Sequence, residues 1–219
     1  RLTQALRTAP GVTGAMPYVE GQVMASANGV ASGALVRGVR PDDLARREVI
    51  AGNIRQGSIN TLATPGTAAI GARMAERMGL GIGSPITLIS PRGAATALGS
   101  VPRMKTFTVG AVFEVGMYEY DNSFVYIPLD DAQAYFQLPD RVNAVEVMVA
   151  DPDRIGAYRR ELIGRIDPQL RLIDWQQLNS HFFAALQVER NVMFLILTLI
   201  ILVAAFNIIT GITMLVQSK

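Results

Sequence analysis

The stretch that decides the architecture of this chain lies between Val192 and Val216 and reads VMFLILTLIILVAAFNIITGITMLV. Of these 25 residues, 20 are Ala, Val, Ile, Leu, Met or Phe, and no charged residue occurs between Arg190 and Lys219. An α-helix rises about 1.5 Å per residue, so a segment of this length crosses a hydrocarbon core of about 30 Å. Its position late in the sequence excludes a signal peptide. We therefore predict a transmembrane helix over residues 191–218.

Two residues inside this apolar segment, Asn207 and Gly211, are unusual for a helix that contacts only lipid. A side-chain amide exposed to lipid would be costly, so we expect both residues to pack against another membrane helix. The sequence begins at Arg1 without a methionine. We therefore interpret it as part of a polytopic membrane protein, in which residues 1–190 form one domain between two transmembrane helices.

Residues 1–190 have the composition of an ordinary water-soluble domain. They carry every charged residue of the chain except Lys219, and the net charge of the chain is only +2. Because cations and anions nearly balance and no basic stripe occurs, nucleic-acid binding is excluded as a main function. The chain has no cysteine, which excludes a disulfide-stapled scaffold.

The pattern of apolar and turn-forming residues predicts a mixed α+β domain. We expect a hairpin turn at Asn28-Gly29 and a loop over residues 52–66. The alternation of strands and helices after residue 106 favours a split βαβ layer, and a helix without Gly or Pro is expected from residue 176 into the membrane segment. Predicted helices cover residues 2–9, 41–47, 68–78, 129–136 and 151–165; predicted strands cover 22–27, 30–39, 86–90, 106–115, 123–127, 142–149 and 170–173.

The segment of residues 91–102 differs from the rest of the domain. It reads PRGAATALGSVP, which is small and polar apart from Leu98 and Val101, and it lies between two predicted strands. Length and composition fit either a long hairpin protrusion or an irregular loop.

Motifs that would indicate catalysis do not occur in the sequence. The glycines at 79–83 follow a predicted helix and precede a strand, which is the reverse of a dinucleotide-binding fingerprint. No phosphate-binding P-loop and no nucleophile elbow occur, and the single histidine, His181, has no cysteine to share a zinc site. The acidic pairs Glu119/Asp121 and Asp130/Asp131 are interpreted as structural. We therefore expect no enzymatic activity, no cofactor and no metal in this chain.

Several motifs spread over the chain are shared with one family of membrane proteins. They are QVERNVMFL at 187–195, AAFNIIT at 204–210, VRGVRP at 36–41, IGARMA at 70–75 leading to GLGIGS at 79–84, and TFTV at 106–109. With these motifs the chain resembles the LolC/LolE permeases of the lipoprotein-releasing ABC transporters, within the MacB/FtsX superfamily.

This resemblance implies a fold, a location and a set of partners. The fold would be a MacB-type periplasmic domain with a porter-like split βαβ layer and a sabre-like subdomain, followed by a transmembrane helix in a multi-pass protein of the bacterial inner membrane. The function would be a permease subunit that extracts lipoproteins and hands them to a LolA-like periplasmic chaperone. Its partners would be a second permease subunit, membrane lipid and a LolD-like ATPase, which would bind ATP and Mg²⁺ in place of this chain.

The resemblance also implies which residues act. Residues 91–102 occupy the place of a chaperone-binding hairpin, the hook, and the expected contacts are Pro91, Arg92, Leu98, Val101, Pro102, Arg103 and Lys105. Candidates for lipoprotein contact at the outer end of the membrane helix are Val188, Val192, Met193 and Leu195, for which ordinary packing in the helix bundle is the alternative. Two other functions stay open: a MacB-like efflux or export permease without a hook, and an FtsX-like regulator of a cell-wall hydrolase. Residues 91–105 discriminate between them.

Overall fold

The computed structural model describes residues 2–96, 99–178 and 180–217, and within these the side chains outside 92–101, 180–185 and 215–217. The chain divides into two compact units, Arg1–Ala150 and Asp151–Lys219. The first unit carries the β-sheet and the second carries the apolar helix.

The first unit is an α+β structure. Its strands are β1 (Val12–Ala27), β2 (Val30–Val39), β3 (Ile54–Gly57), β4 (Thr67–Gly71), β5 (Pro85–Thr96), β6 (Gly99–Phe113), β7 (Phe124–Pro128) and β8 (Ala144–Val149). Its α-helices are α1 (Leu2–Arg7), α2 (Pro41–Ala45), α3 (Glu48–Ala51), α4 (Ala72–Met78), α5 (Tyr118–Ser123) and α6 (Leu129–Phe136), and a 3₁₀-helix covers Ile59–Ala63.

Six strands of the first unit close a hydrogen-bonded ring in the order β2-β7-β4-β6-β5-β1, with β1 pairing back to β2. The β2–β7 and β4–β6 pairs are parallel, and the other ring pairs are antiparallel. Strand β3 adds to β6, and β8 pairs with the first half of β1. Strand β1 changes partner between Tyr18, opposite Ala144, and Val19, opposite Gly38. One long strand therefore connects the ring to the β1–β8 ribbon.

Two hydrophobic clusters pack within the first unit. Strand β7 contributes to both, and all five of its residues are buried, as expected for a strand covered on two faces. The larger cluster takes apolar side chains from all six ring strands and from α4 and α6. The smaller cluster takes them from α2, α3, the 3₁₀-helix and the other faces of β4, β6 and β7.

Several predicted elements are confirmed. The helix over 129–136 matches α6, and Asn28-Gly29 connects β1 and β2 with positive φ at both residues, as a tight hairpin turn requires. Two predictions in this unit are wrong. Residues 68–71 belong to strand β4 instead of a helix, because a run of small and apolar residues buried on both faces forms a central strand there. Residues 52–66 contain β3 and the 3₁₀-helix instead of only a loop.

The second unit consists of helices. A 3₁₀-turn over Pro152–Arg154 leads into α7 (Ile155–Ile163), followed by α8 (Trp175–Leu178) and α9 (Ser180–Gln217). The strand predicted over 170–173 is wrong: among the described residues no strand forms there, and the Asp174 carboxylate instead accepts the Gln177 N–H at the start of α8. The helix predicted from residue 176 is described on both sides of residue 179, which lies outside the described residues.

Helix α9 contains the membrane segment. The stretch Leu186–Met214 is long and apolar enough to cross a membrane. The expected α+β class followed by an apolar helix long enough to cross a membrane is confirmed.

Candidate functional site: the β5–β6 hairpin and its base

Residues 91–96 and 99–102 lie within a two-stranded ribbon. The ribbon pairs Pro85–Ser90 with the Arg103–Thr108 side and then, after a register shift between Ser90 and Ala94, pairs Ala94–Thr96 with Val101–Gly99. Strand β1 pairs with β5 only as far as Ile89, so in the described residues the ribbon beyond this point pairs only with itself. At about 3.3 Å per residue, the extension from 90 to 96 reaches about 20 Å. In its described residues this segment therefore forms a hairpin instead of an irregular loop.

The residues predicted to contact a chaperone are only partly described. Leu98 lies outside the described residues, as do the side chains of Arg92 and Val101. Pro91 and Pro102, at the base of the extension, are both exposed. A chaperone contact by these residues stays a prediction.

The two cations predicted to flank the hook, Arg103 and Lys105, contact helix α6. Arg103 Nη1 donates to the Tyr135 carbonyl at 2.6 Å, and the Tyr135 hydroxyl donates back to the Arg103 carbonyl at 3.3 Å. Lys105 Nζ lies 2.6 Å from Asp131 Oδ1, and the other carboxylate oxygen of Asp131 accepts the Gly66 N–H at 2.6 Å. Both cations are therefore bound within the domain, and contact with a partner by either of them stays a prediction.

Burial shapes the chemistry of Tyr135. Its side chain is almost fully buried, with 3% of the residue exposed. Burial raises the pKa of Tyr135 to about 12, although Arg103 and a hydrogen bond from the Ser90 backbone act to lower it. Tyr135 therefore stays neutral at physiological pH and keeps a hydroxyl proton to donate.

The opposite face at the base of the hairpin carries an uncharged row of side chains that includes Met104. Because side chains alternate along a strand, the residue between Arg103 and Lys105, Met104, faces outward and is 62% exposed. Met104 lies opposite Ile89, which lies opposite Met24, itself 44% exposed. We did not predict this row across three strands from the sequence. The alternation of charged and uncharged residues at 103–106 is the signal that would have indicated it.

The predicted membrane-helix residues fall on two faces of α9. With about 100° of rotation per residue, Val188, Val192 and Leu195 share one face. Met193 lies roughly 130° from the centre of that face, on the side of Asn207 and Gly211. All the described side chains of the membrane segment are exposed in this single chain. The structure thus groups three of the four lipoprotein candidates and separates Met193 from them.

The described residues offer little for catalysis. They contain no group of three or more His, Asp or Glu side chains that could hold a metal ion. A cavity of about 20 Å³ among Tyr18, Arg37, Asp43, Arg47 and Glu146 has room for a single water molecule. One member of each acidic pair serves the fold, since Asp121 accepts backbone N–H groups and Asp131 binds Lys105.

Most of this chain matches a known protein family. The model of the MacB-like periplasmic core domain matches residues 1–164 of this chain. Two solved structures share the fold with a TM-score of 0.50 each. The extracellular domain of the ABC-type transporter YknZ from Gram-positive bacteria is 15% identical, over 71% of this chain and 75% of that one. The periplasmic region of MacB from Actinobacillus actinomycetemcomitans is 10% identical, over 74% of this chain and 70% of that one. At these identities the likeness concerns the fold alone.

Curated relatives match nearly the whole chain. The lipoprotein-releasing system transmembrane protein LolC of Neisseria meningitidis is 34% identical over 212 residues, which is 95% of this chain and 51% of that protein. LolC of Xylella fastidiosa is 31% identical over 97% of this chain and 51% of that protein. LolE of Haemophilus influenzae is 22% identical over 100% of this chain and 52% of that protein. The chain thus spans about half the length of the curated relatives it matches.

Proposed function

We propose, from the premise that this chain belongs to the MacB-like periplasmic core domain family, that it is part of a permease subunit that releases lipoproteins from the bacterial inner membrane. The observation that carries the proposal is the 34% identity with a LolC protein over 95% of the chain. That protein is named for a lipoprotein-releasing system, and the motifs at 187–195 and 204–210 resemble the same family.

In the proposed mechanism the chain binds and transmits but does no chemistry. The first unit lies in the periplasm and the hairpin 91–102 engages a LolA-like lipoprotein chaperone, with Leu98 and Val101 as its large apolar residues. Val188, Val192, Met193 and Leu195 contact the lipoprotein or neighbouring helices, and Asn207 and Gly211 pack within the membrane. A separate LolD-like ATPase binds ATP and Mg²⁺, and a second permease subunit completes the multi-pass complex. Helix α9 transmits the conformational change of the ATPase to the periplasmic domain.

Physical reasons support a hairpin as the contact with a chaperone. A ribbon that extends about 20 Å from a closed ring of strands presents two edges and a tip without disturbing the core. Large apolar residues in such a segment suit insertion into an apolar cavity, where a few side chains supply most of the binding energy. A MacB-like exporter or an FtsX-like regulator has no use for this contact.

Site-specific photo-crosslinking in cells tests the proposal. A photoreactive residue replaces Leu98 or Val101 in the full-length protein, and the adducts are identified by mass spectrometry. Val49 provides the matched control, because it is an exposed apolar residue on α3, 58% accessible and outside the hairpin. We expect a LolA-like adduct from 98 and 101, none from 49, and its loss when 92–101 is replaced by a short Gly-Ser turn.

The alternatives predict other adducts. If no chaperone is captured although the protein is expressed and assembled, lipoprotein release is wrong. Capture of a cell-wall hydrolase would favour the regulator, and capture of an outer-membrane export component would favour the MacB-like exporter.

A further inference from the structure

Helix α6 holds the base of the hairpin at two points. At the first point Arg103 and Tyr135 exchange hydrogen bonds, each donating to the backbone carbonyl of the other. At the second point Lys105 pairs with Asp131, which also accepts the Gly66 N–H ahead of β4. Each point joins a charged side chain of β6 to a residue of α6.

The two points match because of the periods of the two elements. Arg103 and Lys105 are two residues apart on a strand, which places them on one face about 6.6 Å apart. Tyr135 and Asp131 are four residues apart on a helix, which places them on one face about 6 Å apart. The helix therefore presents two partners at the spacing at which the strand presents two cations.

The first point lies where the hairpin leaves the ring. Ser90 and Arg103 are cross-strand partners, and the register shift follows directly after Ser90. The Tyr135 hydroxyl donates to the Arg103 carbonyl, and the Tyr135 carbonyl accepts from the Arg103 guanidinium. One residue of α6 thus binds both the backbone and the side chain of Arg103, at the last regular pair before the extension.

We propose that Tyr135 and Arg103 are positioning residues that fix the direction of the hairpin against α6. Without them the ribbon keeps its own strand pairing but pivots at the register shift, where no neighbouring strand restrains it among the described residues. We call these contacts between Arg103 and Tyr135 the anchor. The anchor does not depend on the proposed function. Only its use, which is to present the hairpin to a chaperone, rests on the proposed function.

Distance measurement between two spin labels tests the anchor. The chain has no cysteine, so a pair of introduced cysteines is labelled without side products. One label replaces Ser100 on the hairpin, and the other replaces Gly33 on β2, where an added β-carbon meets nothing within 4 Å. The labelled full chain is compared in nanodiscs as parent, Tyr135→Phe, Arg103→Met and Tyr126→Phe. Tyr126 is the matched control, because it is also a buried tyrosine, and its hydroxyl has no hydrogen-bond partner in the described structure.

We expect a broader distance distribution in Tyr135→Phe and Arg103→Met than in the parent, with no change in Tyr126→Phe. Arg103→Lys, which keeps a donor for the Tyr135 carbonyl, should restore part of the narrow distribution. A distribution that stays narrow in both Tyr135→Phe and Arg103→Met would overturn the anchor. These distances are measured without a chaperone, so they decide the anchor even if the proposed function fails.

Binding of a purified LolA-type chaperone tests how the anchor is used. Loss of the Tyr135 hydroxyl should weaken binding about threefold to tenfold, while the thermal midpoint of the domain falls by only about 2–4 °C, as expected for one lost hydrogen bond. Unchanged affinity alongside broadened distances would show that the direction of the hairpin is not used. A parent chain that binds no chaperone would count against the proposed function and leave the anchor standing.

Discussion

Asp121 should be among the residues whose loss costs the first unit most, although it lies in a short helix near the surface. Its side chain is 1% exposed, and its two carboxylate oxygens accept the N–H groups of Val115 at 2.8 Å and Gly116 at 3.0 Å. These bonds tie the turn that follows β6 to helix α5. Substitution Asp121→Ala removes both acceptors at once and leaves the Val115 N–H in a partly buried place without a partner.

The magnitude follows from the two lost bonds. A buried donor left without a partner costs about 1–3 kcal/mol, and the exposed Gly116 recovers part of its loss by binding water, so we expect a total of about 2–4 kcal/mol. For a unit of this size that lowers the thermal midpoint by roughly 5–15 °C. Asp121→Asn keeps one acceptor and should lose about half as much.

Thermal unfolding of the full chain in detergent, followed by far-ultraviolet circular dichroism, measures this effect. Glu119→Ala is the matched control, because Glu119 is the other acidic residue of α5 and its side chain is exposed. If Asp121→Ala lowers the midpoint no more than Glu119→Ala does, the reasoning is refuted.

Three further predictions concern the same unit. Burial raises the pKa of Tyr126 from its ordinary value of 10 to about 12, so its neutral form contributes stability that is complete below pH 10 and is lost as the pH rises to about 12. Tyr126→Phe should therefore flatten the decline of the unfolding free energy over this pH range. An unchanged decline would contradict the assignment. A β-carbon at Gly38 would overlap α6, so Gly38→Ala should destabilise by about 1–3 kcal/mol, whereas Gly33→Ala, in open space, should change denaturant midpoints little; equal effects would contradict the packing. The side chains of Arg47 and Glu146 form an ion pair of 2.6 Å and are both half-buried. A double-mutant cycle with Arg47→Met and Glu146→Gln should therefore give a coupling free energy of about 1–2 kcal/mol that decreases as the salt concentration rises. A coupling free energy near zero would show that the pair contributes no stability.

Local signals in the sequence predicted the parts of the fold that local chemistry determines. The Asn28-Gly29 turn needs two residues that tolerate positive φ, and the helix after Pro128 begins with acidic residues that favour its N-terminal end. The membrane segment needs only length and apolar composition. Each of these is encoded within a few residues of where it acts.

The wrong elements depend on partners distant in sequence. Strand β4 is too short and too rich in alanine to look like a strand, and it becomes one because β6 and β7 pair with it on either side. Strand β3 likewise exists because β6 offers it an edge. The stretch over 170–173 has a strand-like composition, yet in the described residues no strand pairs with it. Local composition cannot distinguish these cases, because the deciding contact lies elsewhere in the chain.

The base of the hairpin shows the same limit at the level of function. Two cations next to a protruding segment suggest recognition of an acidic partner. The sequence at 103–105 does not indicate that Tyr135 and Asp131 are the groups that these cations contact. The alternation Arg103-Met104-Lys105 does indicate that the cations share one face and the methionine occupies the other. Which face is covered depends on α6, 26 to 32 residues later. Once α6 binds the cations, Met104 and its cross-strand neighbour Ile89 remain on the opposite face, so a partner that docks against this row of described side chains meets methionine and isoleucine instead of the two cations.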